Sequence, residues 1–374
     1  MNGRLLVFNC HEAWVFQLRL LQRPLDIVVG LPGRHVRGWD YAVRPIPPLA
    51  RLISLGEVLA TRESYDCIIA HNLSDLLDVK TLAGPRILVI HLTLDGMILE
   101  QHAKTDPQEF QAVVAKYVEM TRTQVTPVSA LKGRSWGFVG DLHEAANNKN
   151  GFGVDGNGSK VAHRRSAAGM GGATSANECD GAREEPEADI VPLTADPTDY
   201  LPWRGDLAAG LRIASFVTRR PQTLLWEFHQ RAFREIPVTL VGHNPELPGV
   251  RASRDWNELK EILQRHRFYV HTADPRLEDG YNTATLEAMA AGLPVLGNYH
   301  PTSPVVHGVS GFLSDDAEEL AAYARRLLDD RELAERMGQA ARETVRDRFS
   351  GEAFRAGMER AIAKAQRAVT SGAK

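Results

Sequence analysis

The chain has 374 residues, 43% of them apolar, which is enough for two domains with a sizeable core each. Its net charge is −3 with both signs interspersed, which argues against a nucleic-acid partner. Cys10, Cys67 and Cys179 are far apart and form no Cys-x-x-Cys pair, which argues against a disulfide framework and a zinc site. No apolar run is long enough for a signal peptide or a membrane span, so we expect a cytoplasmic protein.

The first part of the chain predicts strands that alternate with helices. Strands are predicted at 4–10, 25–30, 67–72, 86–92 and 124–129. Amphipathic stretches such as 12–22 and 97–123 separate most of them, as in a doubly wound parallel sheet. The apolar side chains of the first stretch either pack on the sheet or make a weak peripheral membrane contact, and we favour packing. These side chains are Trp14, Val15, Phe16 and Leu18.

Residues 143–189 are rich in Gly, Asn, Ala and charged residues and contain few branched apolar ones. Such a segment cannot bury enough apolar surface to fold. We therefore predict a disordered insertion within the first domain, and a linker between domains is the alternative.

The alternating pattern starts again at Leu211. Strands are predicted in 211–217, 237–242, 267–273 and 293–298, and helices at 222–234, 256–266 and 282–291. Two capped helices follow within 315–349, and Ser350 is a candidate cap for a last helix that is free to return to the first domain. These patterns predict domains at 1–204 and 205–350, followed by a C-terminal helix at 351–374.

The stretch 268–296 predicts a strand, a loop, a short helix and another strand. Asn282 is a candidate N-cap, and the free N–H groups of the helix start would bind a phosphate. Gly280 would let the backbone approach a ligand closely, while Asp279 and Glu287 offer acceptors for hydroxyl groups on either side of it. The pattern therefore suggests a sugar joined to a diphosphate. The alternative is that Glu287 is solvated and Gly280 only forms a turn.

Residues 268–351 carry a family resemblance. They contain "DGYNTATLEAMAAGLPVL", then "SPVVHGVSGFL", then the acidic start and paired helices of "DDAEELAAYARRLLDDRELAERMGQAARETVRDRF". The segment resembles the C-terminal half of the retaining nucleotide-sugar glycosyltransferases of family 4. This resemblance implies the GT-B fold, in which two Rossmann-like doubly wound domains face each other across a cleft and a C-terminal helix crosses back.

The resemblance also implies roles for two carboxylates eight positions apart. Glu287 would hold the ribose hydroxyls of the nucleotide, and Asp279 would lie near the donor sugar as a catalytic residue. The family has glutamate at both positions, so this chain has a shorter carboxylate at the sugar-facing position, Asp279. Glu278 is one residue too far from Glu287 to match the spacing. Three neighbours, Tyr281, Asn282 and Thr283, would complete the donor-binding turn.

Family members clamp the leaving diphosphate with an arginine and a lysine after the first strand of the second domain. In "IASFVTRRPQTLL" the alignment places Arg220 at the lysine and Ser215 at the arginine, so Arg219 would substitute. Gly242 resembles the glycine of the loop beside the nucleotide. The family's glycine-rich loop after the first strand is absent here. His91 is the best match to a histidine that faces the sugar, and a structural histidine is the alternative.

The resemblance thus implies a retaining transferase that moves a hexosyl unit from a UDP- or GDP-sugar to an unknown hydroxyl acceptor, which could be a glycan, a lipid or a small molecule. No two aspartates stand two positions apart, so we expect no metal and no other cofactor. Three rivals are a catalytically weak or inactive GT-B protein that binds nucleotide or a partner enzyme, a sugar-nucleotide hydrolase or epimerase, and a Rossmann dehydrogenase. The last lacks an early Gly-x-Gly-x-x-Gly.

Overall fold

The computed structural model describes residues 3–32, 38–100, 105–139 and 189–371. Apart from Asp189, the predicted insertion lies outside the described residues. The described residues form two parallel sheets connected by helices, which confirms the predicted α/β fold with two Rossmann-like halves. None of the described helices combines the length and the apolarity that a membrane crossing requires.

The first sheet has six strands, all paired in parallel in the order β3-β2-β1-β4-β5-β6. They are β1 (Leu5–Phe8), β2 (Leu25–Val29), β3 (Ala50–Ser54), β4 (Cys67–Ala70), β5 (Arg86–Ile90) and β6 (Gln124–Pro127). Because all strands run the same way, the residues that follow their carboxyl ends gather along one edge. The sequence patterns predicted five of these strands and missed β3.

Helices cover this sheet. They are α1 (Glu12–Gln17), a 3-10 helix (Leu18–Leu21), α2 (Leu55–Thr61), α3 (Leu73–Asp78), α4 (Leu94–Glu100), α5 (Pro107–Thr121) and α6 (Ala130–Ser135). The four apolar side chains of α1 and the 3-10 helix that could have met a membrane, Trp14, Val15, Phe16 and Leu18, are at most 6% exposed. Trp14, Val15 and Leu18 belong to the core, as we favoured, whereas Phe16 packs against Trp256.

The second sheet has five parallel strands in the order β11-β10-β9-β7-β8. A 3-10 helix (Pro197–Asp199) precedes it, and its elements are β7 (Leu207–Ile213), α7 (Trp226–Ala232), β8 (Val238–Val241), α8 (Trp256–Arg265), β9 (His266–Val270), α9 (Thr283–Ala290), β10 (Val295–Gly297) and β11 (Gly311–Leu313). The edge strand β11 was not predicted.

Helix α7 is shorter than predicted. The pattern predicted a helix over 222–234, but the chain turns through 217–225 and the helix begins at Trp226. Leu225, just before the helix, has φ of 45° in the left-handed region, and a helix cannot continue through this conformation. The predicted arginine pair, Arg219 and Arg220, therefore lies in a turn and not at the start of a helix.

Three helices complete the chain: α10 (Ala317–Asp329), α11 (Arg331–Arg348) and α12 (Gly351–Thr370). The side chains of Asp316, Asp330 and Ser350 accept hydrogen bonds from the first turns of these helices, as predicted for the caps. Helix α12 packs against β4, β5 and β6 of the first sheet. The predicted return of the last helix to the first half is confirmed.

The chain passes between the two halves twice, and these two crossings lie side by side. On the first crossing, the N–H of Val191 donates to the carbonyl of Pro127 at the end of β6 (3.0 Å). Further along, the guanidinium of Arg342 on α11 donates to the carbonyl of Pro197 (2.8 Å). The hydroxyl of Thr194 donates to the carbonyl of Phe349 (2.7 Å), where the second crossing begins.

Candidate functional site

The turn that leads into α9 has the predicted capping. The side chain of Asn282 accepts a hydrogen bond from the N–H of Thr285 (2.9 Å), and Thr283 is the first helical residue. The ring of Tyr281 packs edge-on against that of Phe349, with centroids 5.1 Å apart, and burial raises the pKa of this phenol to about 12. These contacts hold the start of the helix in one orientation.

Gly280 is needed for packing within the protein. A Cβ at this position would lie 2.7 Å from Cγ of His300, and the N–H of Gly280 donates to the hydroxyl of Thr302 (2.8 Å). The close approach that the sequence suggested for a ligand is thus made by a side chain of the same half. Gly280 lies beside Asp279 as predicted, but the packing of His300 is enough to explain why this residue is a glycine.

Asp279 and Glu278 share one cation from the first half. Nζ of Lys132 on α6 lies 2.8 Å from Oε1 of Glu278 and 3.1 Å from Oδ2 of Asp279. All three side chains are less than 10% exposed. Burial lowers the pKa of Lys132, but the two carboxylates outweigh it and raise the pKa above its usual range. Lys132 is therefore charged and ties the two halves together.

One oxygen of Asp279 remains without a partner. Its Oδ1 is buried and accepts no hydrogen bond from any described residue. Leaving a buried carboxylate oxygen without a hydrogen bond destabilises the folded protein. A hydrogen-bond donor on a bound ligand would remove this cost. A sugar hydroxyl is such a donor.

Glu287 is also contacted from the first half. Its Oε1 accepts a hydrogen bond from Nη2 of Arg44, which lies on the chain between β2 and β3. Both side chains are almost fully buried, and the guanidinium also lies over the ring of Trp256, 4.7 Å from its centroid. Thr93 makes a third link, because its hydroxyl donates to the carbonyl of Leu277 (2.8 Å). The carboxyl edge of the first sheet therefore faces the loop before α9.

The structure separates the predicted arginine pair. Nη2 of Arg220 lies 2.6 Å from Glu100 and 4.0 Å from Oε2 of Glu278, so this side chain reaches the carboxylate cluster. Arg219 instead extends to Glu246, with Nη2 2.5 Å from Oε1, and is 60% exposed. The Nε of Arg220 is buried without a partner among the described residues, which leaves one N–H group for an anion. Arg220 is thus the better placed of the two.

Gly242 follows β8 and packs against the loop that follows β7. Its φ of +143° suits glycine, and a Cβ would lie 2.3 Å from the carbonyl oxygen of Ala214. The hydroxyl of Ser215 accepts from the N–H of His243 (3.0 Å), and Asn244 bonds to the backbone of Val217. Ser215, at the position where the resemblance expects arginine, thus braces this loop.

His91 directly follows β5 and contacts another histidine. Its Nε2 lies 2.9 Å from Nδ1 of His71 and 3.9 Å from Sγ of Cys10. The edge of Trp14 meets both imidazole rings, with centroids 5.0 and 5.2 Å apart. Burial lowers the pKa of His71 to about 3 and that of His91 well below its usual value, so both rings are neutral at pH 7.

With this geometry described, the chain can be compared with known proteins. The family described as "Glycosyl transferases group 1" matches residues 251–344. This part of the chain is therefore similar to the group 1 glycosyltransferases. The N-acetyl-alpha-D-glucosaminyl L-malate synthase of Bacillus anthracis is 38% identical over 79 residues, which is 20% of this chain and 21% of that protein. The match therefore spans about a fifth of the curated relative.

Solved structures extend the likeness to both halves. HepE (Alr3699) of Anabaena, solved with UDP-glucose, has a TM-score of 0.59 at 13% identity, covering 97% of this chain and 100% of that one. The sucrose-phosphate synthase of Thermosynechococcus elongatus has a TM-score of 0.58 at 13% identity, covering 97% and 99%. At this identity the likeness shows the fold. The glycosyltransferase segment thus forms part of a complete GT-B architecture, as expected.

Two residues that contact the glycosyltransferase carboxylates were missed by the sequence analysis. Lys132 lies in the short helix α6, which Ser129 caps, and its side chain meets the carboxylate of Asp279. Its helix follows the strand predicted at 124–129, but no local pattern indicates which acidic side chain Lys132 meets. Arg44 lies in a loop with no local pattern, so only the fold reveals its contact with Glu287.

Proposed function

We propose that the chain is a metal-independent, retaining glycosyltransferase that moves a hexosyl unit from a UDP- or GDP-sugar to a hydroxyl group of a glycan, lipid or small-molecule acceptor. The observation that carries the proposal is the pair of buried carboxylates, Asp279 and Glu287, at the start of α9 in the segment that is similar to group 1 glycosyltransferases. Asp279 has an unpaired buried oxygen, as a residue waiting for a hydroxyl group would.

Each part of a nucleotide-sugar donor would have its own partners in this arrangement. Glu287 would accept hydrogen bonds from the ribose hydroxyls at Oε2, since Arg44 bonds to Oε1. The diphosphate would lie at the free N–H groups of Thr283 and its neighbours, with Arg220 meeting its charge. The sugar would then contact Asp279, and His91 would reach it through Nδ1 or its ring edge, because Nε2 is engaged by His71.

A screen of nucleotide sugars by thermal shift identifies the donor. A ligand that binds only the folded protein raises the unfolding temperature in proportion to the logarithm of its concentration over Kd. UDP-glucose is the first compound to test, because the similar HepE structure contains it. We expect one UDP- or GDP-sugar to stabilise the chain far more than the others.

Replacing Glu287 with glutamine is expected to weaken nucleotide binding by about 1–3 kcal/mol, because ribose hydroxyls would lose a charged acceptor. Isothermal titration of the full chain with the nucleoside diphosphate measures this loss. Glu332→Gln is the matched control, since Glu332 lies exposed in the first turn of α11. Unchanged affinity in Glu287→Gln would contradict the ribose assignment.

The proposed mechanism uses protein groups alone to stabilise the leaving diphosphate. Arg220 and the N–H groups at the start of α9 would oppose the charge as it develops. The acceptor hydroxyl would attack on the face from which the diphosphate departs, forming the new C–O bond as the old one breaks. Its proton would pass to a phosphate oxygen. The product would then keep the anomeric configuration of the donor.

An NMR assay in the presence of EDTA tests both features. Water can replace the unknown acceptor, and spectra taken before the released sugar equilibrates report its anomeric form. We expect retention of configuration and an unchanged rate with chelator. An inverted anomeric centre would rule out the retaining mechanism, and activity that returns only with Mg²⁺ or Mn²⁺ would rule out metal independence.

The alternative is a GT-B protein that binds nucleotide without transferring sugar. It is favoured by Ser215, which replaces the expected arginine and is engaged by the backbone of His243, and by the outward direction of Arg219. Turnover of a donor that the thermal-shift screen has identified distinguishes the two functions.

A further inference from the structure

Three potential metal ligands from distant parts of the sequence meet at the carboxyl edge of the first sheet. Cys10 follows β1, His71 follows β4 and His91 follows β5. These three strands are adjacent in the order β1-β4-β5, so parallel pairing alone brings the three residues together. We propose that Cys10, His71 and His91 form a zinc-binding site with an open fourth coordination position.

The ligand atoms have nearly the spacing that a tetrahedral zinc ion requires. Zn–N bonds of about 2.0–2.1 Å and a Zn–S bond of about 2.3 Å place neighbouring ligand atoms about 3.4 Å apart in a tetrahedron. Here Nδ1 of His71 and Nε2 of His91 are 2.9 Å apart, and Sγ of Cys10 is 3.9 Å from the latter. All three atoms lie within 4.8 Å of one another. The 2.9 Å and 3.9 Å separations each lie within about half an ångström of this ideal spacing.

The contacts around the two imidazole rings restrain their orientation. A metal at Nδ1 of His71 fixes its proton on Nε2, which is buried and makes no hydrogen bond of good geometry. Trp14 packs against both rings and limits their other movements.

The local charges favour a cation. Asp75 and Glu12 are buried, and both act on the thiol of Cys10. Lys132 acts on His91 in the opposite sense, but its charge is already balanced by Glu278 and Asp279. One thiolate and two neutral imidazoles suit Zn²⁺ better than Mg²⁺ or Ca²⁺, which prefer oxygen ligands.

This site differs from what the sequence suggested. The wide spacing of the cysteines argues against a zinc site built from cysteine pairs. The fold instead brings two histidines to a single cysteine. The site shares His91 with the proposed transfer site, and its ligands do not include Arg220, Asp279 or Glu287. Zinc at Nε2 of His91 would fix the ring proton on Nδ1. In the proposed transfer site this Nδ1–H could donate to the donor sugar.

Cobalt binding tests the proposal with a spectroscopic signal that does not depend on activity. The full chain is treated with chelator, dialysed and titrated with Co²⁺, which replaces zinc in such sites. We expect one Co²⁺ per chain, visible bands of a tetrahedral ion and a near-ultraviolet band of a cobalt–thiolate bond. Added Zn²⁺ should displace the cobalt and should raise the thermal unfolding temperature of the metal-free protein.

Variants identify the ligands. Cys10→Ala should abolish the thiolate band, and His71→Ala should weaken Co²⁺ binding more than tenfold. Cys67→Ala is the matched control, since Cys67 lies on β4 with its side chain in the core, and it should bind as the unchanged chain does. Circular dichroism verifies that each variant is folded. A thiolate band that persists in Cys10→Ala, or a titration without tetrahedral bands, would overturn the proposal.

Discussion

Asp279→Asn is expected to lower kcat by about a hundredfold or more while leaving the affinity for the nucleoside diphosphate nearly unchanged. In the proposed site this carboxylate contacts the sugar, where positive charge develops in the transition state, and not the nucleotide. The variant should fold, because Lys132 keeps Glu278 as a partner. Steady-state kinetics and isothermal titration separate the two effects.

Glu278→Gln is the matched control for this prediction. Glu278 contacts Lys132 and the N–H of Asp279, so its replacement should alter the turn and reduce kcat less. Equal losses of kcat and nucleotide affinity in Asp279→Asn would mean that Asp279 only supports the loop. A larger kcat loss in Glu278→Gln would assign the sugar contact to Glu278.

Lys132→Met is expected to destabilise the protein by about 3–5 kcal/mol, since removing one partner of a buried ion pair leaves the other uncompensated. Here two carboxylates, of Glu278 and Asp279, would remain buried within a few ångströms of each other. Methionine fills a similar volume, so the loss reports charge and not a cavity. Urea denaturation measures it.

Lys116→Met provides the comparison, because Lys116 lies exposed on α5 and should change stability by less than about 0.5 kcal/mol. Lys132→Arg keeps the charge and should recover part of the loss. If Lys132→Met were as stable as Lys116→Met, the lysine would not compensate the two carboxylates.

The local features around α9 could be predicted because they depend on neighbouring residues. Asn282 caps the helix, as the sequence predicted, and Gly292 follows the helix with φ of +89°, a conformation that suits glycine. The cap at Ser350 was predicted on the same grounds, since a side chain that bonds to the next turn needs no distant partner. The family resemblance was also confined to this part of the chain.

Features that depend on the tertiary structure could not be predicted in this way. Leu225 is a good helix former, yet the fold places it in the left-handed region and shortens α7. Strand β3 is an edge strand in which Ile53 alone of the five residues is buried, so its pattern is weak. The contacts of Arg44 and Lys132 join residues far apart in sequence, and no local spacing indicates which acidic side chain each would meet.

The paired crossings between the two halves limit how the molecule can open. The crossing that contains Thr194 and the one that begins at Phe349 are bonded to each other, so together they act as a single hinge. Bonds between the two crossings would oppose sliding of one half past the other and would favour rotation of the halves about this hinge. Residues far from this hinge move most in such a rotation, whereas those beside it keep their contacts. A substrate would therefore enter from the side opposite Thr194, and closing would bring the same atoms together on every cycle.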